Sequence, residues 1–220
     1  MAIIVFKRLA QGLLIVWLTT TLTFFLIHAA PGDPFSGFLD DPRATAEIRA
    51  AHRARYGLDR PVVEQYGRFL GNVASGNLGE SFTYKRPVAA VLVETVPRTL
   101  LLMGTALVLG FAAGIVLGTL QGSRAGGWFD RLTGGGAVLV ASLPDFWLAL
   151  LVLLFFAGTW RVLPVTGFSD PTLGPTASFM TRALDVLKHL VLPAGTLALL
   201  VSATVSRYQR AASSNWPWSM

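Results

Sequence analysis

Long apolar stretches separated by polar segments dominate the pattern of this chain. Leu9–Ala30 contains no formally charged side chain, Thr99–Leu120 has neither charge nor proline, and Gly134–Trp160 is apolar apart from Asp145. A fourth apolar stretch, Leu190–Val205, gains length from the residues just before it. At ~1.5 Å rise per residue, helices of roughly 20 residues cross the ~30 Å hydrocarbon core of a bilayer. We therefore predict four transmembrane helices, at about 9–30, 99–120, 134–160 and 186–206.

The segment between the first two predicted spans, residues 31–98, is long but not featureless. Proline and glycine end the first span, because proline lacks a backbone donor and glycine favours turns. Cap residues and helical spacing predict a helix at 42–56, a second helix that begins after Asp59 and Pro61, and a short third one at 87–96. The expected fold is an all-α, polytopic membrane bundle of about four transmembrane helices with a partly helical external loop.

Positive charge near the span ends predicts the orientation in the membrane, because cytoplasmic loops are enriched in lysine and arginine. Both termini and the loop between the second and third spans are expected in the cytoplasm, and the long loop 31–98 outside it. The basic residues that favour this arrangement are Lys7, Arg8, Arg124, Arg131, Arg207 and Arg210.

Composition supports a membrane protein and excludes several other classes. Of the 220 residues, 53% are hydrophobic and 14% are charged, whereas soluble domains carry about 25% charged residues. The absence of cysteine excludes disulfides, thiolate metal sites and cysteine nucleophiles. The net charge of +6 is dispersed between the spans, so we assign it to anionic lipid headgroups and expect no nucleic acid. The first span is longer than the apolar part of a signal peptide, and we expect it to be retained.

Short motifs in a fixed order identify a family. They begin with Ala30-Pro31-Gly32-Asp33-Pro34, continue through Tyr56–Val62, and end with Leu163–Gly167 and Leu190–Ala194. Each is weak alone, but together they resemble the permease subunits of bacterial ABC importers, in the dipeptide, oligopeptide and nickel branch, over about residues 1–210. The motif residues of the external loop are Pro31, Gly32, Asp33, Pro34, Asp59, Pro61, Gln65, Tyr66, Gly76, Leu78, Gly79 and Ser81.

The resemblance implies half of an import channel in the bacterial cytoplasmic (inner) membrane. It further implies a second homologous permease, two cytoplasmic ATPase subunits and an extracytoplasmic solute-binding protein as partners, with no cofactor in the permease itself. The branch covers dipeptides, oligopeptides, nickel and glutathione, of which we expect a peptide.

The end of the chain departs from the family pattern. The resemblance implies a cytoplasmic coupling loop and two further spans after Ser206–Arg210, but residues 211–220 do not resemble that region. We expect a chain truncated before the coupling loop, which inserts into the membrane but does not support uptake. The alternative function is therefore a non-transporting remnant or a structural membrane protein.

Two groups of residues are candidates for function inside the membrane. Gly110, Gly114, Gly118 and Gly122 recur every four residues and predict close packing against another helix. Asp145 follows Pro144 within an apolar run, so it is either a carboxylate in a polar niche of the membrane or a residue close to the interface. With Ser142 of the matching motif Ser142-Leu143-Pro144, these two residues are candidates for the translocation path.

Catalytic and metal sites are not expected. His28 and His189 lie near span ends without a second ligand at suitable spacing. The sequence has no P-loop, no Gly-x-Ser-x-Gly elbow and no His-Glu-x-x-His motif, so we expect neither nucleotide binding nor hydrolysis.

Overall fold

The described part of the chain is helical. The computed structural model describes residues 1–30, 47, 59–81, 83–174 and 176–214. These ranges contain six α-helices and one short π-helix, and the expected all-α class is confirmed. The helices are α1 (Ala2–Ala29), α2 (Val62–Ala74), α3 (Val88–Ser123), α4 (Trp128–Ser142), α5 (Asp145–Leu153), the π-helix (Leu154–Thr159) and α6 (Phe179–Ser214).

Three of these helices are long and apolar enough to cross a membrane, namely α1, α3 and α6. A fourth candidate is formed by α4 together with α5 and the π-helix, which are bent by 105° at the break between them. All four candidates overlap the predicted spans, although α3 and α6 each have 36 residues and extend beyond the predicted bounds. The predicted helix at 42–56 lies outside the described residues except for Glu47, which is helical.

The chain divides into two compact units, Met1–Glu94 and Thr95–Met220. In the first unit, the amphipathic helix α2 packs on the C-terminal part of α1 through aromatic rings. Phe24 stacks on Phe69 with ring centroids 5.3 Å apart and also contacts Tyr66. The Tyr66 hydroxyl is hydrogen-bonded to the Thr21 hydroxyl at 2.6 Å. The predicted helix after Pro61 therefore forms and is anchored to the first span.

A tight turn connects α2 to α3. Gly76 and Gly79 adopt φ angles of +80° and +73°, which are costly for any residue with a Cβ. The Asn77 side chain accepts the Gly79 N–H at 3.1 Å, and the Ser81 hydroxyl oxygen accepts the Tyr84 N–H at 3.2 Å. The motif residues Gly76–Ser81 thus form a hydrogen-bonded turn, with the Leu78 side chain exposed.

The third helix of the external loop is not separate, contrary to prediction. Residues 88–98 form the first turns of α3, and Pro97 lies inside that helix. A proline removes one N–H from the helical ladder, and a helix that is stabilised on both sides of the proline tolerates this loss. The predicted helix at 87–96 is therefore the beginning of a longer helix that continues through Pro97.

In the second unit, the apolar run 134–160 is broken rather than straight. Leu143 takes an extended conformation (φ −85°, ψ 141°), because the ring of Pro144 disfavours the α conformation in the residue before it. The backbone carbonyl of Pro144 then accepts the N–H groups of Trp147 and Leu148, which starts α5. Both α4 and α5 pack on α6.

Candidate functional site

The four glycines of α3 lie in contact with α6. A Cβ built on Gly110 would lie 2.7 Å from the Val201 Cβ, and one on Gly114 would lie 2.6 Å from the Val205 Cβ. At Gly118 the added atom would meet the backbone oxygen of Ser206 at 2.5 Å. Real Cβ atoms do not approach other heavy atoms so closely, so these positions have no room for a side chain. Gly122 is in the same situation against Ser213.

The two helices run in the same direction. Successive glycines of α3 face Val201, Val205, Gln209 and Ser213 of α6, in ascending order and with one constant offset in sequence. The facing surface of α6 also carries small buried residues, such as Ala198, Ser202 and Ser206. Small residues on both helices permit the close backbone approach that stabilises helix pairs in membranes.

A groove of about 630 Å³ separates α5 from α6. Its walls are mostly apolar, and the polar residues among those that line it are Asp145 and Thr196. The Thr196 hydroxyl donates to the backbone oxygen of Leu192 at 2.8 Å. The hydroxyl oxygen of Thr196 can still accept a hydrogen bond from another group. The groove's lining residues are Asp145, Phe146, Ala149, Leu150, Leu153, Leu192, Pro193, Thr196, Leu197 and Leu200.

Asp145 is the first residue of α5, and its side chain is exposed. The unpaired N–H groups of a helix N-terminus give a partial positive charge that favours a carboxylate there. Pro144 supplies the break that creates this N-terminus. Ser142, the last residue of α4, donates its hydroxyl to the backbone oxygen of Val138 at 2.7 Å. Of the three translocation candidates, Asp145 is the one that lines the groove.

Two of the loop motif residues, Gln65 and Tyr66, contact the first span. Gln65 donates its side-chain N–H to the backbone oxygen of Arg60 at 2.8 Å, while its side-chain oxygen lies 3.2 Å from Nε2 of His28. His28 stacks on Phe24 with ring centroids 4.1 Å apart. Asp59 lies in the turn before α2, and Pro61 is its N-cap residue. The motif residues Pro31, Gly32, Asp33 and Pro34 lie outside the described residues.

A polar turn precedes α6. The hydroxyl and backbone N–H of Thr172 both donate to Asp170, and these bonds lower the pKa of that carboxyl below its usual range. The Asp170 N–H donates to the Asp185 carboxylate at 2.8 Å. His189 lies next to Asp185, with Nδ1 2.9 Å from its backbone oxygen. Within the described ranges, no group of three or more His, Asp or Glu side chains is arranged to hold a metal.

An ion pair joins the beginning of α4 to the end of α6. The guanidinium of Arg210 donates to both carboxylate oxygens of Asp130, at 2.5 and 2.7 Å. Asp130 is only 4% exposed and also accepts the backbone N–H of Gly126 at 2.8 Å. This pairing was not predicted, and Arg210 was interpreted only as an indicator of orientation. No local sequence pattern links the two residues, since they are 80 positions apart and occupy different polar segments.

Comparisons with known proteins find relatives of this chain. Residues 1–103 match the model of the N-terminal region of the membrane component of binding-protein-dependent transport systems. A Brucella abortus protein that carries the name of a peptide transport system permease is 32% identical over 210 residues, which include 96% of this chain. Over most of its length, the chain is similar to the binding-protein-dependent transport permeases.

Further relatives of this chain have similar names. The dipeptide transport system permease protein of Lactococcus lactis is 32% identical over 190 residues, covering 85% of this chain and 61% of that protein. The di/tripeptide transport system permease protein of Pseudomonas aeruginosa is 32% identical over 205 residues, covering 88% of this chain and 61% of that protein. The chain spans 64% of the length of the Brucella protein.

The similarity to these permeases and the apolar helices together place this chain in the bacterial cytoplasmic membrane as a multi-pass protein. The glycine contact and the ion pair hold the second unit together, while the groove between α5 and α6 is a concave surface that presents a carboxylate among apolar side chains.

Proposed function

We propose that this chain is a transmembrane permease subunit of an ABC importer and forms part of the pore for peptides or related small solutes. The observation that carries the proposal is the similarity to proteins named as peptide, dipeptide or di/tripeptide permeases. These proteins are 32% identical to this chain in regions that cover 85–96% of it. The proposed partners are a second homologous permease, two cytoplasmic ATPase subunits and an extracytoplasmic solute-binding protein.

The groove between α5 and α6 is the proposed contact surface for the solute. A peptide carries an ammonium group at one end and side chains that are often apolar. Asp145 would attract the ammonium group, and the surrounding leucine and phenylalanine side chains would contact the apolar parts. A pore surface must bind weakly enough to release its solute, and one exposed carboxylate in an apolar groove satisfies that requirement.

Uptake by the assembled complex tests the proposal. The chain would be reconstituted into liposomes with its cognate second permease, ATPases and binding protein, and uptake of labelled di- and tripeptides measured. The similarity to proteins named as peptide permeases predicts ATP-dependent uptake that requires this chain, whereas the divergent residues 211–220 predict no uptake. An assembled complex that takes up no peptide, while hydrolysing ATP at an unchanged basal rate, would contradict the proposal and support the non-transporting alternative.

The role of Asp145 is tested in the same assay. Asp145→Asn removes the charge but keeps the size of the side chain, so we expect unchanged assembly and severalfold slower peptide uptake. Asp170→Asn, which changes an acid outside the groove, is the matched control and should leave uptake close to normal. Equal uptake rates for the two variants would exclude Asp145 from the translocation path.

A further inference from the structure

A second groove, of about 350 Å³, lies where the ends of α3 and α6 meet the beginning of α4. Three arginines and one aspartate are among the residues that line it, so positive charge exceeds negative charge by two. The aspartate is Asp130, and Arg210 already neutralises it through two hydrogen bonds. The remaining positive charge belongs to Arg131 of α4 and Arg207 of α6.

Neither of these two arginines forms an ion pair at contact distance in the described part of the chain, although Arg131 is close enough to Asp130 to contribute to its electrostatic environment. Both are exposed, and no ion pair is formed by either of them there, in contrast to Arg210. Arg131 belongs to α4 and Arg207 to α6, and the ion pair between Asp130 and Arg210 joins these two helices. The ion pair therefore limits how far apart the two arginines can move. Two guanidinium groups held on one concave surface can both donate to the oxygens of one anion.

The wall of the same groove also contains an unsatisfied acceptor. Gln121 is 1% exposed and donates from Nε2 to the Thr133 hydroxyl at 2.9 Å. Its buried Oε1 accepts no hydrogen bond from any described residue. Buried polar atoms rarely lack a hydrogen-bond partner, because burial without one costs free energy. A ligand that donates a hydrogen bond to Gln121 Oε1 would remove this free-energy cost.

We propose that this groove binds a phosphate group between Arg131 and Arg207. Phosphate oxygens suit guanidinium donors, and basic pockets between the ends of membrane helices are suited to anionic headgroups. The phosphate comes either from an anionic phospholipid such as phosphatidylglycerol, whose glycerol hydroxyls would also serve Gln121, or from free phosphate in solution. The site is independent of the solute groove and of the proposed transport activity.

Binding to the purified full chain tests the site. The chain would be kept in a neutral detergent and titrated with phosphatidylglycerol, phosphatidylcholine or inorganic phosphate, with bound ligand counted by native mass spectrometry. We expect one phosphatidylglycerol to bind more tightly than the others. Arg131→Gln and Arg207→Gln should each weaken binding about fivefold, the effect of losing one arginine near an anionic headgroup.

Two sets of variants make the result decisive. Arg124→Gln removes the same charge from the neighbouring turn, outside the groove lining, and should leave binding within about twofold of the unmodified chain. Arg131→Lys and Arg207→Lys keep the charge and should retain most of the binding, which separates recognition from misfolding.

Competition by millimolar inorganic phosphate would identify free phosphate as the source, and its failure to compete would identify the lipid. Equal weakening by all three glutamine variants, or by none, would overturn the proposal.

Discussion

Asp130 and Arg210 illustrate how a charged pair stabilises a membrane protein at the ends of its helices. The carboxylate is almost fully buried, whereas the guanidinium is still partly exposed to solvent, with 43% of its side-chain surface accessible. Arg210 can therefore keep some hydration while it pairs with Asp130. The third partner, the N–H of Gly126, fixes the turn between α3 and α4 to the same carboxylate. One aspartate thus connects three segments of the second unit.

Removing the charge of Asp130 should destabilise this unit. In Asp130→Asn, Arg210 loses its anionic partner and the Gly126 N–H loses a charged acceptor, so we expect the thermal unfolding midpoint in detergent to fall by several degrees. The same fall is expected for Arg210→Gln. In a double-mutant cycle, the double variant should have an unfolding midpoint only slightly below that of either single variant. The reason is that the first substitution already breaks the interaction that the second one would remove. Additive effects would mean that the two side chains act independently.

At the scale of whole helices, the contact between α3 and α6 depends on missing side chains rather than on large ones. Lipid tails are as apolar as leucine, so helices in a bilayer associate through close packing instead of exclusion from water. The glycines of α3 allow side chains such as Val201 and Val205 to contact its backbone directly. Each added methyl group would force α6 outward along its whole length, because both helices are stiff.

Glycine variants on α3 separate packing from helix propensity. Gly118→Ala would place a Cβ against the backbone oxygen of Ser206, and Gly114→Leu would displace Val205, so both should lower thermal stability and loosen the second unit. Gly104→Ala is the matched control, because its Cβ would meet no atom within 4 Å. Alanine is favoured over glycine in helices by up to ~1 kcal/mol, so this variant should be neutral or slightly stabilising. Equal destabilisation by Gly104→Ala and Gly118→Ala would remove the packing explanation.

The attachment of α2 to α1 is a second contact between elements, and it depends on aromatic rings. Phe69→Ala should release α2, since the ring stacks on Phe24 and such pairs contribute ~1 kcal/mol beyond simple burial. We expect hydrogen exchange of the α2 amides to become about fivefold faster. Val63 is on the same helix but 75% exposed, so Val63→Ala should leave the exchange nearly unchanged. Similar acceleration in both variants would indicate a general loosening of α2 instead.

The sequence predicts local features of this fold well, and contacts between distant segments poorly. Hydropathy locates the helices because a bilayer demands long apolar segments, and the period of the glycines indicates a packing face before its partner is known. The sequence pattern does not identify α6 as the partner of the glycines, and it does not predict the ion pair between Asp130 and Arg210. Helical periodicity describes one segment at a time and contains no information on contacts between segments. The continuation of the helix at 87–96 through Pro97 into the next span was also not predicted. Proline disfavours the interior of a helix, but stable turns on both sides of it can maintain the helix.

For the molecule as a whole, the distribution of positive charge predicts the orientation in the membrane, with both termini in the cytoplasm. The chain contains no cysteine, so single cysteines can be introduced without further changes. At Ser75 and Ser123, both exposed, labelling of intact cells with a membrane-impermeant maleimide should modify Ser75→Cys and leave Ser123→Cys unmodified. The opposite labelling pattern would reverse the orientation.

The common direction of α3 and α6 also limits how often the chain between them can cross the bilayer. Two spans that traverse the membrane in the same sense leave the end of the first and the start of the second on opposite surfaces. The connecting residues 124–178 must therefore make an odd number of crossings. In that stretch, the candidate span is the bent pair formed by α4 with α5 and the π-helix. A hairpin that entered and left by the same surface would violate this parity. We therefore predict that the pair, despite its 105° bend, passes completely from one side of the membrane to the other.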